Sequence, residues 1–445
     1  MRVPFSGALA QIIVRFYPLC KPCDGSPTGT VRRMRGRSLL RFAGFTAVMV
    51  ALAGCDGAHN ARAGGTSTTV TTTPSTPPAA SLTKAFDSIR RRYSGDIVGI
   101  CMGAIDQQTR AIKCYGRVSP GSKAKPTHTT LFQIGSISKT FTTTLLALRV
   151  NSGSVGLEDP ARQYLPADSS GKQVPSSMTL LDLADHYSGL SRDTPFENQS
   201  PGSADAYVGA AGPCSASPSC RTGSPGKGYH YSNYAFGVLG ELLARHDGFS
   251  SGDTSAWEQD AKANVTDPLE MGDTHSWFGW RAISPATFNS RRATPVRHAV
   301  PPYFPPAPYA DAAAGLYSSA DDMMKWLSFS MGLTGTPDLN AARPYLYDTP
   351  ALLRPREDQS DKRRRIGLAW RVDTHGSGQT KVNCIYKDGL TRGFTASMIF
   401  IRKRGVGAFV MLNTEPDTPA IAAALVNALP SAKKIAPRAC GFGGG

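Results

Sequence analysis

The amino-acid sequence predicts an α/β fold: an antiparallel sheet flanked by helices, with an inserted all-α lobe. Three observations lead there. Runs rich in β-branched and aromatic residues lie at both ends of the folded part, in 97–115 and 366–413. The middle third is punctuated by Gly, Pro and Ala and carries helical rather than alternating apolar spacing. The chain has 445 residues, 40% of them apolar, enough to bury one large domain or two lobes. It shows no period of 20–50 residues, which argues against solenoids and propellers.

In chain order, residues 1–33 read as sequence upstream of the true start, so the Cys20 and Cys23 pair carries no metal or redox meaning there. Residues 34–54 read as a signal peptide. Basic residues (Arg35, Arg37, Arg41) precede an apolar run over 42–51 that falls short of the ~20 residues a spanning helix needs. Leu52-Ala53-Gly54-Cys55 matches all four positions of a lipobox, which favours lipidation of Cys55 over a plain secretory signal. Acyl chains at roughly 0.8 kcal/mol per buried CH₂ would make that anchor to the membrane stable. Residues 55–80, rich in Ser, Thr, Pro, Gly and Ala, cannot form a core and read as a tether. These segments predict a periplasmic protein, lipid-anchored to a bacterial membrane, the inner one by the Asp56 that follows Cys55.

The folded domain spans 81–432, followed by a tail over 433–445. Its opening strands, 97–105 and 111–115, form a hairpin in which pairing Ile105 with Arg110 sets Cys101 opposite Cys114. A helix follows Ser136, with Phe141, Leu145 and Leu148 on its apolar face, and another covers 320–331. Strands return at 366–372, 381–386, 394–401 and 406–413. The last helix takes Thr418 as its N-cap and Pro419 in its first turn, and runs to about Leu429. A site is expected between the sheet and the inserted lobe. Six cysteines remain for disulfides, Cys101, Cys114, Cys214, Cys220, Cys384 and Cys440, with the pairing open. Cys214 and Cys220 flank a Ser/Pro-rich segment in which a small loop-closing bridge is plausible.

Formal net charge is +16, of which +7 falls in residues 1–54. The densest basic run, Lys362-Arg363-Arg364-Arg365, follows Asp358 and Asp361 and reads as a solvated loop. No aromatic residues interleave with basic ones in the way that grips single strands, so nucleic acid is not an expected partner. No His-Glu-x-x-His or Gly-x-Ser-x-Gly occurs, and Gly135–Thr140 lacks the glycine a phosphate loop needs before its lysine. No metal and no cofactor is expected.

Ser-x-x-Lys sets a hydroxyl and an amine one helical turn apart, so that the lysine can take the serine proton. The pattern starts at Ser81, Ser122, Ser136, Ser169, Ser224 and Ser431, five of them in polar, Gly/Pro-rich or terminal segments. Only Ser136, with Lys139, lies between a strand-like run (131–135) and a long apolar helix, whose first N–H groups favour developing negative charge. Two further elements follow: Tyr231-Ser232-Asn233 before another apolar helix, and Lys387-Asp388-Gly389, which opens a strand continuing to Gly393-Phe394.

With these three elements in this order, the chain resembles the serine β-lactamase/DD-peptidase superfamily over about residues 95–430. Within it, the chain is similar to the class C β-lactamase-like branch, which contains periplasmic D-alanyl-D-alanine carboxypeptidase/endopeptidases. The segments 156–160, 185–190, 267–272 and 315–323 support the likeness. Tyr-Ser-Asn in place of Ser-Asp-Asn separates it from class A. The resemblance implies a β-lactamase/transpeptidase-like fold and a penicillin-binding serine DD-peptidase that works on peptidoglycan peptides through an acyl-enzyme. A class C-like β-lactamase or an esterase of the same fold is the alternative within that chemistry, and a penicillin or muropeptide sensor without turnover the alternative of another class.

The resemblance also implies roles. Ser136 is the nucleophile; Lys139 and Tyr231 relay its proton, with Tyr231 as base and later acid, aided by the ammonium groups of Lys139 and Lys387. Asn233 holds the substrate amide, and the N–H groups of Ser136 and Leu390 form the oxyanion hole. Lys387, Asp388, Gly389 and Leu390 line the substrate-binding strand. Read alone, Tyr231 and Asn233 would be an aromatic and a cap at a helix start. Asp388 departs from the family, which usually has a hydroxyl residue there to help bind a substrate carboxylate. A second carboxylate at ~4 Å would oppose that binding by about 4 kcal/mol at an effective dielectric of 20. Strand alternation turning Asp388 away, Arg392 neutralising it, or pairing with Lys387 would each remove the conflict. The functional alternative is a preferred substrate without a free carboxylate near the scissile bond, as in a cross-link or ester, with weak penicillin acylation that Asp388→Thr improves.

Overall fold

A computed structural model of the chain describes residues 78–433, apart from Ser94, Asp96 and residues 166–173, 194–203, 212–220, 251–254, 296–309 and 357–360. These all fall in the unit Thr71–Gly445. The lipobox with Cys55, the cysteines Cys214, Cys220 and Cys440, and the tail beyond residue 433 lie outside the described residues.

The first described element is a helix, α1 (Pro78–Arg92), so folded structure begins three residues inside the segment read as a tether. Strands β1 (Gly99–Asp106) and β2 (Thr109–Gly116) pair in the expected register, with Ile105 opposite Arg110 and Cys101 opposite Cys114. The two sulfurs are bonded. Cys384 is also disulfide-bonded.

Helix α2 (Ser138–Ser152) follows a short strand β3 (Phe132–Gln133). The helical middle contains α3 (Asn233–His246), the short α4 (Asp311–Ala314) and α5 (Ala320–Met331). Strands β4 (His275–Ser276) and β5 (Leu316–Ser318) join β3 in a three-stranded sheet, ordered β3-β5-β4. The remaining strands are β6 (Arg354–Pro355), β7 (Arg364–Ile366), β8 (Arg371–His375), β9 (Val382–Thr391), β10 (Phe394–Ile401) and β11 (Val406–Leu412). The last long helix, α6, covers Thr418–Ala428.

The main sheet has eight strands in the order β2-β1-β11-β10-β9-β8-β7-β6, antiparallel throughout. The N-terminal hairpin therefore completes the sheet beside the C-terminal strand, and the helical segment is an insertion within it. Strands β1, β10 and β11 are buried along their whole length, because both faces are covered. On one face, Leu82, Phe86 and Ile89 of α1 and Ile421 and Leu425 of α6 pack against Ile100, Ile399 and Val410. On the other, Met398, Phe400 and Phe409 meet the helical lobe, including Leu145 of α2 and Trp326 of α5. Among the described residues no helix is long and apolar enough to cross a membrane.

Three expectations need correction. The run 366–372 is not one strand: Gly367 N–H reaches Trp370 C=O at 2.8 Å, and Ala369 takes φ +65°, so a turn joins β7 to β8. Alternating apolar residues also suit a turn whose side chains all point inward. Lys387-Asp388-Gly389 lies inside β9 and does not open it. The strand stops at Thr391, and Arg392-Gly393 form the hairpin turn, with φ +83° at the glycine. Asp417, not Thr418, caps α6: its carboxylate accepts the Ala420 N–H at 3.2 Å, while the Thr418 hydroxyl donates to Pro416 C=O.

Candidate active site

Five separate stretches of chain meet at β9: residues 135–139, 192–193, 231–233, 313 and 387–390. Ser136 lies in a 3-10 turn, Gly135–Ile137, directly before α2 rather than in the helix itself. The turn is pinned from both sides. The Ser138 hydroxyl donates to Gly135 C=O at 2.7 Å and accepts the Leu316 N–H of β5. Below it, Phe141 stacks on Trp326, with ring centroids 3.9 Å apart. Strand β9 passes so close that a Cβ at Gly389 would lie 1.9 Å from Ile134 C=O and 3.2 Å from Ser136 N. Only glycine fits there. Gly135, at φ +52°, faces the Leu390 N–H in the same way.

Lys139, one helical turn on, is fully buried and makes three contacts. Nζ lies 2.6 Å from Asn233 Oδ1, 2.8 Å from Ala313 C=O and 3.2 Å from Ser136 Oγ. Burial holds its ammonium well below the ordinary lysine range; the Arg192 charge adds to that effect and Asp193 opposes it. The contact to the Ser136 hydroxyl, to which Nζ donates, is the longest of the three. The Tyr231 hydroxyl donates to Ser136 Oγ at 2.7 Å. Tyr231 precedes α3, whose N-cap is Ser232: its hydroxyl accepts the Ala235 N–H at 2.9 Å. Asn233 is the first helical residue, and its Nδ2 donates to Asp193 at 2.8 Å. That bond fixes the amide so that its oxygen faces Lys139.

The two lysines flank the tyrosine ring, with Lys139 Nζ 5.0 Å and Lys387 Nζ 5.2 Å from its centroid. Burial lowers Lys387 to about 8, offset in part by Tyr231, with Lys139 and Arg371 lowering it further and Asp388 opposing them. Alternation along β9 sends Lys387 and Gly389 toward this cluster and Asp388 to the other face. There its carboxylate accepts from the Ser397 hydroxyl at 2.7 Å and from Arg371 at 3.1 Å. The structure therefore does not bring Asp388 to the Ser136 cluster, and neither Lys387 nor Arg392 is its hydrogen-bond partner. Leu390 presents its N–H to the Ser136 turn and an exposed side chain to solvent.

Of the residues read from the sequence, Ser136, Lys139, Tyr231, Asn233, Lys387, Gly389 and Leu390 converge. Asp193, Arg192 and the carbonyl of Ala313 were not foreseen. Arg192 and Asp193 lie two and three residues beyond the 185–190 segment, which was a usable signal; a backbone carbonyl carries none. Among the described residues no cluster of His, Cys, Asp and Glu is arranged to hold a metal.

Known proteins resemble this chain over most of its folded part. D-alanyl-D-alanine-carboxypeptidase/endopeptidase AmpH of Escherichia coli K12 is 26% identical over 73% of this chain and 82% of its own. A β-lactamase of the same strain is 25% identical over 73% and 86%. A β-lactamase of Pseudomonas fluorescens is 35% identical over a shorter stretch, 34% of this chain and 39% of its own. In fold, the crystal structure of a class C β-lactamase from Rhodobacter sphaeroides superposes with a TM-score of 0.61 at 22% identity, over 78% of this chain and 98% of that one. The family model described as Beta-lactamase matches residues 63–430, and with Ser136, Lys139 and Tyr231 gathered as above, the chain belongs to the beta-lactamase family of serine hydrolases.

Proposed function

We propose that this chain is a penicillin-binding serine DD-peptidase that cleaves D-alanyl-D-alanine ends or cross-links of peptidoglycan through an acyl-enzyme. The observation that carries the chemistry is the convergence of Tyr231 Oη (2.7 Å) and Lys139 Nζ (3.2 Å) on Ser136 Oγ. As Ser136 attacks the substrate carbonyl, its proton passes into the Lys139–Tyr231 pair, with Lys139 able to act as an amine because burial disfavours its charge. The N–H groups of Ser136 and Leu390 take the oxyanion. Tyr231 then returns the proton to the leaving amine, and water releases the acyl group by the reverse path. Asn233 and Lys387 bind the substrate. The match to the E. coli carboxypeptidase/endopeptidase supports the peptidase. The matches to β-lactamases support β-lactam hydrolysis as the second reading.

Location is part of the proposal: an exported protein held to a bacterial membrane by lipid on Cys55. The lipobox supports it, as does the Cys101–Cys114 bridge, which suits an oxidising compartment. Cys55→Ser would then abolish incorporation of a fatty-acid probe, and incorporation that survives refutes the anchor.

Fluorescent penicillin followed over time, with D-alanine release from a pentapeptide ending in D-Ala-D-Ala, tests the function. Stable label with D-alanine release fits the peptidase, and rapid loss of label without it fits the β-lactamase. Ser136→Ala abolishes label and Ser122→Ala leaves it unchanged; label that survives Ser136→Ala removes Ser136 as the nucleophile.

A further inference from the structure

One buried imidazole beside the site has no part in the chemistry above. His186 is fully buried, its ring 4.3 Å from that of Tyr231 between centroids. Its carbonyl accepts the His230 N–H at 2.7 Å, and its Nδ1 accepts the Ser232 N–H at 3.1 Å. A single residue therefore holds the backbone on both sides of Tyr231. An accepting Nδ1 places the ring proton on Nε2, and that N–H is buried without a hydrogen-bond partner among the described residues. The backbone of His186 is left-handed, φ +69°, which few side chains tolerate. An unpaired buried N–H and a left-handed backbone are each unfavourable. Ring packing against Tyr229, Tyr231 and Phe236 requires neither. Fixing Tyr231 accounts for both.

We propose that His186 is the positioning residue for Tyr231, holding the chain on either side of it so that the phenol oxygen stays on the Ser136 hydroxyl. This rests on the acyl-transfer reading of the site. Burial, then the charges of Lys387, Lys139, Arg371 and Arg192, hold the imidazole well below the usual histidine range, so Nδ1 stays free to accept. His186 touches no reacting atom. Its effect is on the rate of the bound complex, not on substrate affinity.

The test compares His186→Gly, His186→Leu and His186→Asn in the full chain. Glycine adopts the left-handed backbone freely and has no acceptor; leucine restores apolar volume without one. Asparagine tolerates that backbone and places an amide oxygen near the position of Nδ1. Saturation kinetics with fluorescent penicillin give the limiting acylation rate and the half-saturation concentration separately. The glycine and leucine variants lose about 100-fold in limiting rate, as a displacement of ~1 Å would cause, with half-saturation within about threefold of wild type. The asparagine variant recovers to within about tenfold. Crystal structures of the variants show the Tyr231 oxygen out of hydrogen-bonding reach of Ser136 Oγ in the first two and within reach in the third. An asparagine variant no better than leucine, a loss that falls on half-saturation, or a Tyr231 unmoved in His186→Gly overturns the inference. A folded wild type that takes no label refutes the acyl-transfer reading, and the crystal structures alone then decide whether His186 positions Tyr231.

Discussion

On one face of the eight-stranded sheet, Phe86 and Leu82 of α1 and Ile421 and Leu425 of α6 lie against Ile100, Ile399 and Val410, an almost wholly apolar layer. Under the helical lobe, on the opposite side, Lys139, Lys387 and His186 are buried just as completely, among cations and with few counter-charges. The first face turns water exclusion into stability, because each apolar side chain removed from water contributes about 1.5–3 kcal/mol. The second spends stability to hold lysines and an imidazole next to a serine, where burial disfavours their charged forms. Equal burial thus has opposite energetic signs, and the difference lies in what is buried.

That comparison is tested first where the effect is largest. Phe86→Ala removes a fully buried ring from the apolar face and lowers unfolding free energy by about 3–5 kcal/mol, with acylation per folded molecule unchanged. Urea unfolding and penicillin titration measure the two quantities, and a matching loss in acylation would show that the faces are not separable. At the far edge of the sheet, replacing both Cys101 and Cys114 by serine opens a link between residues 13 apart in sequence. The expected cost is about 3 kcal/mol, again without change at Ser136.

Lys387→Met tests the opposite sign. The folded value of Lys387, about 8, lies below that of an unfolded lysine, about 10.4, so over that interval the unfolded chain binds more protons. Stability contributed by this group therefore rises with pH between about 8 and 10, and its cost is fully present below 8. Methionine abolishes that cost. Unfolding free energy at pH 7 rises by about 1–3 kcal/mol, the gain fades toward pH 10, and substrate binding weakens. A variant less stable at pH 7 would contradict the picture of a strained cleft.

The smallest effect is expected at Asp388. Its carboxylate accepts from Arg371 and Ser397 on the face away from Ser136, so Asp388→Thr changes kcat/KM for carboxylate-bearing and neutral ester substrates by the same factor, within about threefold. A gain of about tenfold or more confined to carboxylate-bearing substrates would return Asp388 to the cleft.

Local chemistry made much of this protein legible from its sequence. The β1–β2 hairpin register followed from alternation, α5 from its apolar period, and Ser136 from being the one Ser-x-x-Lys between a strand and a long helix. The resemblance joined Tyr231 and Lys387 to it. These are short-range patterns, or motifs whose order in the chain carries information. The break at 367–370 was hidden because inward-facing turn residues mimic a strand. The surroundings of Asp388 depended on Arg371 and Ser397, which reach it from the neighbouring strands β8 and β10. Asp193, the Ala313 carbonyl and the His186 clamp were decided only by contacts between distant segments of the inserted region. Contacts between segments tens to hundreds of residues apart are set by packing and by the satisfaction of buried polar groups, and neither leaves a periodic trace in the chain. The sequence by itself therefore determined which groups could do chemistry, and the tertiary structure decided which of them meet and in what charge state, because both depend on what excludes water around them.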